Sequence, residues 1–334
     1  MIKNKALIDS HGRNHNYLRI SITENCNLRC IYCMPAEGIQ LTPKAHLMTA
    51  DEIFEIATTF VSLGVTKIRL TGGEPLVRKD AKEILLRLSK LGTELTLTTN
   101  GLLVHDYITV FKEAGIKSLN VSIDTLQKDK FAQITRRDEF DKLNENISLL
   151  LSEGFIVKLN VVLIKGFNEN EILDFIGLTK DKNLQIRFIE FMPFDGNNWD
   201  KSKLISQAEI LHFIQEIHPV DEIERLTDKP NDTARNFKIK NYFGSFAIIS
   251  SVTNPFCDSC NRIRLTADGK LKNCLFSESE TSLLETLRKG ESILPLIEKN
   301  IYSKKQIRAG LDNQNVFENP SVFNKNRSMI TIGG

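Results

Sequence analysis

The chain has 334 residues, of which 26% are charged and 41% hydrophobic, and it carries a formal net charge of +2. This length allows a large core and predicts two or three domains, while the nearly neutral charge excludes a molecule-wide nucleic-acid surface. The first residues contain no apolar signal segment, and no apolar run approaches membrane-spanning length. We therefore expect a cytoplasmic protein with no nucleic-acid or membrane partner.

The first two-thirds of the chain alternates short strands with amphipathic helices. Strands are predicted at 17–23, 66–71, 94–100, 117–124, 156–163 and 184–192, and helices near 49–63, 79–91, 105–114, 139–153, 169–180 and 206–217. This alternation is typical of a parallel α/β sheet with functional groups at the C-terminal ends of the strands. Periodicity leaves open whether the six units form a partial barrel or an open doubly wound sheet.

The first five predicted strands carry polar side chains on one face and Leu, Ile or Val on the other. The polar rows consist of Arg19, Ser21, Thr23, Arg69, Thr71, Thr96, Thr98, Asn100, Asn120, Ser122, Asp124, Lys158 and Asn160. Cations on a shared interior need anions, which acidic side chains or the phosphates of a ligand could supply. The convergence of the whole set on one face favours a ligand.

After residue 192 the pattern changes, and a turn-rich loop follows. A β-hairpin is predicted over 233–252 and a second one around the Ala-Asp-Gly turn at 267–269. Helices are predicted at about 281–289 and 291–301, and the tail beyond about 310 is expected to be loosely ordered. We predict a core domain at 9–230 and a C-terminal region at 231–334.

The six cysteines form two triplets, which are Cys26, Cys30, Cys33 and Cys257, Cys260, Cys274. Three thiolates can hold three irons of a four-iron cluster and leave the fourth iron open to a small molecule. In a cytoplasmic protein, metal or redox chemistry is favoured over three disulfides. Zinc bound with a nearby histidine, such as His15 or His46, is the remaining metal alternative.

The first triplet has the spacing C-x3-C-x2-C, with Tyr32 before its last cysteine and Gly-Gly-Glu-Pro at 72–75 after the second predicted strand. It resembles the signature of the radical S-adenosylmethionine enzymes. The resemblance implies a [4Fe-4S] cluster that binds S-adenosylmethionine and receives an electron from an external donor. It also implies contacts with that cofactor at Tyr32, Gly73, Ser122 and Met192. Taken alone, Ser122 and Met192 are more typical of a buried hydroxyl and of core packing.

The second triplet, together with YLRISIT, RLTGGEPLVR, LTTNG, NVSID, RFIEFM, CNRIRL and the terminal Gly-Gly, resembles the GTP 3′,8-cyclase family from about residue 9 onward. The resemblance implies a partial (β/α)6 barrel with a C-terminal hairpin and helical extension, which carries a second [4Fe-4S] cluster on Cys257, Cys260 and Cys274. It implies GTP contacts at Arg19, Arg69, Thr98, Lys158, Arg262, Ile263 and Arg264, of which Ile263 can contribute only backbone or packing. It implies that Gly333 and Gly334 are catalytic residues in the active site, although a terminal Gly-Gly is by itself typical of a frayed end.

The implied reaction is the first step of molybdenum cofactor biosynthesis. It removes the 3′ hydrogen of GTP ribose and joins C3′ to C8, giving (8S)-3′,8-cyclo-7,8-dihydroguanosine 5′-triphosphate for cyclic pyranopterin monophosphate synthase. The oligomer is expected to be a monomer or homodimer, and no site residues are predicted between 193 and 245. Two alternatives stay open, a peptide-modifying radical S-adenosylmethionine enzyme and a nonenzymatic zinc or iron–sulfur binding module.

Overall fold

The computed structural model describes residues 6–35, 38–311, 317–319, 322–323 and 326–333. One sheet in this part of the chain contains twelve strands: β1 (Tyr17–Ser21), β2 (Lys67–Thr71), β3 (Glu94–Thr99), β4 (Ser118–Ser122), β5 (Ile156–Leu163), β6 (Leu184–Glu190), β7 (Ile223–Arg225), β8 (Arg235–Ile239), β9 (Ser245–Ile249), β10 (Arg262–Leu265), β11 (Lys270–Lys272) and β12 (Thr281–Ser282). The α-helices are α1 (Ala50–Ser62), α2 (Ala81–Ser89), α3 (Ile108–Glu113), α4 (Lys128–Thr135), α5 (Phe140–Ser152), α6 (Ile172–Gly177), α7 (Gln207–Gln215), α8 (Leu283–Arg288), α9 (Leu294–Tyr302) and α10 (Met329–Ile332).

The sheet has the order β12-β11-β10-β1-β2-β3-β4-β5-β6-β9-β8-β7. Strands β1 to β6 pair in parallel and in chain order, which confirms the predicted parallel α/β sheet. A doubly wound sheet would reverse its strand order at a switch point, whereas an unbroken order is that of a barrel. Among the described strands, β12 and β7 end the order without pairing to each other, so the fold is a partial barrel.

The two C-terminal hairpins extend opposite ends of this barrel. Strand β10 lies parallel to β1 and carries β11 beside it, and β9 lies parallel to β6 and carries β8. Both predicted hairpins are therefore confirmed. Strands β8 and β9 join the same sheet as the preceding strands, and the domain boundary at 230 stays a prediction.

The hydrophobic core lies between the helices and the outer face of the sheet. Helix α1 begins at Thr49 with a capping box to Glu52, and the residues at helical spacing that it buries include Ile53 and Phe60. The strand residues facing these helices, such as Leu18 and Ile20 of β1, are 0% exposed. The opposite strand face is consequently left for the barrel interior.

Several predicted bounds differ from the structure. Helices α3 and α6 are shorter than predicted because the residues before them form 3-10 turns at Val104–Tyr107 and Glu169–Glu171. Helix α4 was missed because its sequence KDKFAQIT is mostly polar, and it is anchored by buried Phe131 and Ile134. Strand β7 was also missed. The prediction of a loosely ordered tail is wrong for residues 326–333, where Ile330 and Ile332 are buried.

Candidate active site

A cavity of about 1080 Å³ opens on the polar face of the sheet, at the upper end of the range for small-molecule sites. Its lining includes six residues of the predicted polar rows: Arg19, Arg69, Thr98, Asn120, Lys158 and Asn160. Arg262, Arg264 and the three cysteines of the second triplet line it as well. The prediction that the polar rows share one interior is therefore confirmed for these six residues, which come from all five strands, whereas the other seven do not line this cavity.

Three arginines lie side by side on the floor of this cavity. The strand register places Arg19 of β1 between Arg264 of β10 and Arg69 of β2. Burial and the neighbouring Arg264 lower the pKa of Arg19, and its buried Nε has no hydrogen-bond partner in the described structure. Like charges on adjacent strands repel each other, so an anion between them would stabilise the site.

The Arg69 side chain is fixed by hydroxyl groups. It is 5% exposed, and it donates to the Tyr17 hydroxyl and, over 3.2 Å, to the Thr98 hydroxyl. Burial alone would raise the pKa of Tyr17, but Arg69 and Arg19 outweigh burial and lower that pKa to about 7. The geometry thus orients one cavity arginine before any ligand binds.

A second cationic pair lies across the cavity on β5 and β6. Burial and Arg187 lower the pKa of Lys158 to about 8, and burial and Arg69 lower the pKa of Arg187 to about 10. Arg187 was not predicted as a site residue, although Gln185 and Arg187 alternate with Ile186 and Phe188 in the same polar-apolar pattern as the earlier strands. That alternation was the signal that could have found it.

Ten lysines and arginines line the cavity, and six of them are Arg19, Arg69, Lys158, Arg187, Arg262 and Arg264. Within the described ranges none of the six forms an ion pair with a carboxylate. Burying so much unpaired positive charge is costly without a polyanionic ligand. The side chain of Ile263, by contrast, is 0% exposed in the core, which leaves only its backbone for a ligand.

The loop after β1 carries the first cysteine triplet and is braced by Gly-Gly-Glu-Pro. The Gly73 amide donates to the Thr23 carbonyl over 2.8 Å, and a Cβ at Gly73 would lie 2.5 Å from the Asn25 oxygen. Glu74 accepts from the Thr99 hydroxyl and the Asn100 amide at 2.8 and 2.6 Å, and burial raises the pKa of Glu74 to about 7. Gly73 is thus required by close backbone packing, and its contact with a cofactor stays a prediction.

Backbone and side-chain N–H groups around the first triplet donate hydrogen bonds to a cysteine sulfur. The Leu28 amide donates to Cys26 Sγ over 3.4 Å, and Cys33 follows Cys30 in a tight turn. Burial raises the pKa of Cys26 to about 11, so the thiolates need a cation such as iron to form. These donors and the three thiols fit a four-iron cluster.

The other predicted cofactor contacts lie around this loop and the cavity. The Tyr32 hydroxyl donates to Asp124 Oδ2 over 2.7 Å. Ser122 is the half-buried last residue of β4, and Met192 lines the cavity just after β6. Ser122 and Met192 thus lie at the C-terminal ends of β4 and β6, and Tyr32 lies on the loop that follows β1, on the side where the fold class predicts function.

The second triplet lies beside β10 and β11 and lines the cavity. The Arg308 amide donates to Cys257 Sγ over 3.4 Å, and Lys304 Nζ donates to Cys260 Sγ over 3.3 Å. Burial alone would raise the pKa of Cys260, but Arg262 and Lys304 outweigh it and lower that pKa to about 6. These donors favour a thiolate at Cys260, whereas burial raises the pKa of Cys274. Three sulfurs with N–H donors at two of them fit an iron–sulfur cluster.

A single metal ion is a different case. In the described ranges, no three His, Cys, Asp or Glu side chains converge closely enough to hold one ion. A four-iron cluster is wider than one ion and accepts more widely separated sulfurs.

The described end of the chain reaches the cavity floor. Arg264 Nη1 donates to the Gly333 carbonyl over 3.0 Å. A Cβ at Gly333 would lie 2.7 Å from both Ser21 Cβ and Thr71 Oγ1, and the residue has a φ of 85°. Gly334 lies outside the described residues. The catalytic place that the resemblance implies for these glycines stays a prediction, and the contact of Gly333 with Arg264 was not predicted.

None of the helices that the structure describes combines the length and apolar character needed to cross a membrane.

Two family models match the chain, the Radical SAM superfamily over residues 20–179 and Molybdenum Cofactor Synthesis C over residues 184–309. A relative from Arabidopsis thaliana named GTP 3′,8-cyclase, mitochondrial, is 47% identical over 98% of this chain and 83% of its own length. One from Peptoclostridium acidaminophilum, named GTP 3′,8-cyclase, is 41% identical over 100% of both chains.

Other relatives are longer. The Mus musculus protein named molybdenum cofactor biosynthesis protein 1 is 46% identical over 98% of this chain, which spans 51% of that protein. Among solved structures, Streptococcus suis SuiB bound to S-adenosylmethionine aligns with a TM-score of 0.60 at 15% identity, over 83% of this chain and 67% of SuiB. That likeness concerns the fold.

Proposed function

Because the chain belongs to the GTP 3′,8-cyclase family of radical S-adenosylmethionine enzymes, we propose that it cyclises GTP in the cavity described above. The observation that carries this proposal is the set of buried cations without carboxylate partners, which lies next to the second cysteine triplet. A triphosphate supplies the missing negative charge, and the purine then extends toward the cysteines.

The two cysteine triplets have separate places in this proposal. Cys26, Cys30 and Cys33 hold a [4Fe-4S] cluster, as in the superfamily. When bound there, the cluster and S-adenosylmethionine supply a 5′-deoxyadenosyl radical. Cys257, Cys260 and Cys274 hold a second cluster beside the substrate base, and the N–H donors at Cys257 and Cys260 support this role.

The residues of this chain contribute binding, orientation and shielding. The prepositioned Arg69 and the row Arg264–Arg19 fix the anionic end of GTP, with Lys158 and Arg187 opposite. Holding one nucleotide at both ends lets C3′ approach C8 and lowers the entropic part of the barrier. The C-terminal tail covers the cavity floor at Gly333 and helps exclude water from the reacting atoms.

The remaining roles follow the same proposal. Tyr32, Gly73, Ser122 and Met192 contact S-adenosylmethionine, and Thr98 contacts GTP. The product passes to cyclic pyranopterin monophosphate synthase, and the electron comes from an external donor. Cytoplasmic location and a monomeric or dimeric state stay predictions.

The decisive experiment is anaerobic incubation of the reconstituted protein with dithionite, S-adenosylmethionine and GTP carrying deuterium at C3′. We expect a cyclised triphosphate by mass spectrometry and deuterium in the released 5′-deoxyadenosine. Cleavage of S-adenosylmethionine without cyclised product, and without deuterium transfer, would overturn the proposal. A peptide-modifying activity is less well supported, because SuiB, which has been solved with a bound precursor peptide, shares only the fold, at 13% identity.

A further inference from the structure

Lys304 is a buried cation whose partners are a thiolate and a carbonyl. Its residue exposure is 3%, and Nζ donates to Cys260 Sγ over 3.3 Å and to the Arg262 carbonyl over 2.9 Å. In the described part of the chain, Lys304 forms no ion pair with a carboxylate. A buried ammonium needs a nearby anion, and the Cys260 sulfur that Lys304 Nζ contacts becomes one when it ligates a cluster.

The position of Lys304 is built by a segment from the other end of the chain. The Arg13 guanidinium donates to the carbonyls of Lys305, Gln306 and Cys257, each over 2.8 Å. Arg13 is itself held by Asp9 over 2.6 Å, and both side chains are buried. The turn that carries Lys304 is thus clamped to the loop that carries the cysteines.

The first triplet has different hydrogen-bond donors. The Leu28 backbone amide and the Asn100 side-chain amide, which are both neutral, approach Cys26 Sγ. No lysine hydrogen-bonds to a cysteine of the first triplet in the described residues. A lysine donor therefore distinguishes the second triplet from the first.

We propose that Lys304 is a positioning residue for the second cluster, where it holds the Cys260 thiolate in its ligating orientation and raises the reduction potential of that cluster. This inference rests on the proposed function, which places the second cluster there. A charged N–H donor to a cluster sulfur stabilises the reduced, more negative form and so raises the potential. The radical-generating cluster, which lacks such a donor, keeps its own potential.

The test uses the full chain, reconstituted anaerobically, as wild type, Lys304→Met and Lys304→Arg. Lys305→Met is the matched control, because Lys305 is adjacent and exposed. Iron content is measured first, and each cluster is then titrated potentiometrically and followed by its electron paramagnetic resonance signal. We expect Lys304→Met to lower the reduced-to-oxidised ratio of the second cluster about tenfold at a fixed potential, a shift of about 59 mV for one electron.

The first cluster is an internal control and should be unchanged in all variants. Lys304→Arg should restore most of the shift, and Lys305→Met should match wild type. Selective loss of iron from the second site in Lys304→Met, rescued by Lys304→Arg, would support the ligand-holding role. Full iron content with an unchanged second potential in Lys304→Met would overturn the inference. About four irons per wild-type chain, instead of about eight, would instead overturn the second cluster of the proposed function.

Discussion

Gly333→Ala should release the C-terminal tail from the cavity floor without affecting the clusters, so it tests whether docking of the tail is needed for GTP cyclisation. The new Cβ would lie 2.7 Å from Ser21 Cβ and Thr71 Oγ1, where ordinary carbon contacts are about 3.5–4.0 Å. The φ of 85° adds left-handed backbone strain of about 1–2 kcal/mol, and overpacking adds about 1–3 kcal/mol. The sum favours release of the tail from the cavity floor, with loss of the Arg264 contact.

The matched control is Gly290→Ala. Gly290 also has a positive φ, 72°, but nothing lies within 4 Å of the Cβ that alanine would add. It should lose about 1–2 kcal/mol of stability from backbone strain and keep normal catalysis. Because both variants carry the same kind of backbone strain, the difference between them reports the steric effect of the added Cβ at Gly333.

The assay is the amount of cyclised product per S-adenosylmethionine cleaved, together with the iron content of each variant. We expect Gly333→Ala to keep its iron and its cofactor cleavage but to lose most of the coupling to product. The reasoning would be refuted if Gly333→Ala matched Gly290→Ala in both turnover and coupling.

Three further predictions concern the clusters, the cations and pH. Cys26→Ala should abolish S-adenosylmethionine cleavage while retaining the second cluster. Cys274→Ala should lose GTP cyclisation more severely than S-adenosylmethionine cleavage. Equal loss of both activities in Cys274→Ala, with the first cluster intact by spectroscopy, would count against separate roles for the two triplets. Arg69→Met or Lys158→Met should weaken GTP binding by roughly 1.5–3 kcal/mol in calorimetry with S-adenosylmethionine binding unchanged; unchanged GTP affinity in both would speak against a phosphate site. Burial lowers the pKa of His15 from 6.5 to about 4, so between these pH values the unfolded state binds a proton that the folded state does not. The free energy of unfolding should therefore fall by up to roughly 3 kcal/mol as the pH drops from 6.5 to 4. Denaturant unfolding of His15→Gln should show a correspondingly smaller dependence of stability on pH.

The strands and the polar interior could be predicted because alternation is a local signal. It identified Arg19, Arg69 and Lys158, whose neighbours Leu18, Ile68 and Leu159 all pack in the core. The same alternation is present at Arg187 on β6, although the predicted polar rows covered only the first five strands.

Contacts between distant segments could not be predicted in this way. Arg13 meets the Cys257 carbonyl 244 residues away, and Lys304 meets Cys260 from a turn beyond α9. Neither contact leaves a periodic pattern, since each depends on how the C-terminal hairpin packs against β1. The cysteine spacing predicts the cluster ligands, whereas the proposed role of Lys304 follows only from the tertiary structure.

The parallel pairing of β1 with β10 also sets the order of assembly during synthesis. Asn261 Nδ2 donates to Asn16 Oδ1 across 245 residues at the start of this pairing. At about 5–20 residues per second, a ribosome needs roughly 12–50 s to supply the partner of β1. One edge of β1 stays unpaired throughout that time, and exposed strand edges promote aggregation. The first cysteine loop, which directly follows β1, is therefore synthesised well before the barrel wall beside it exists.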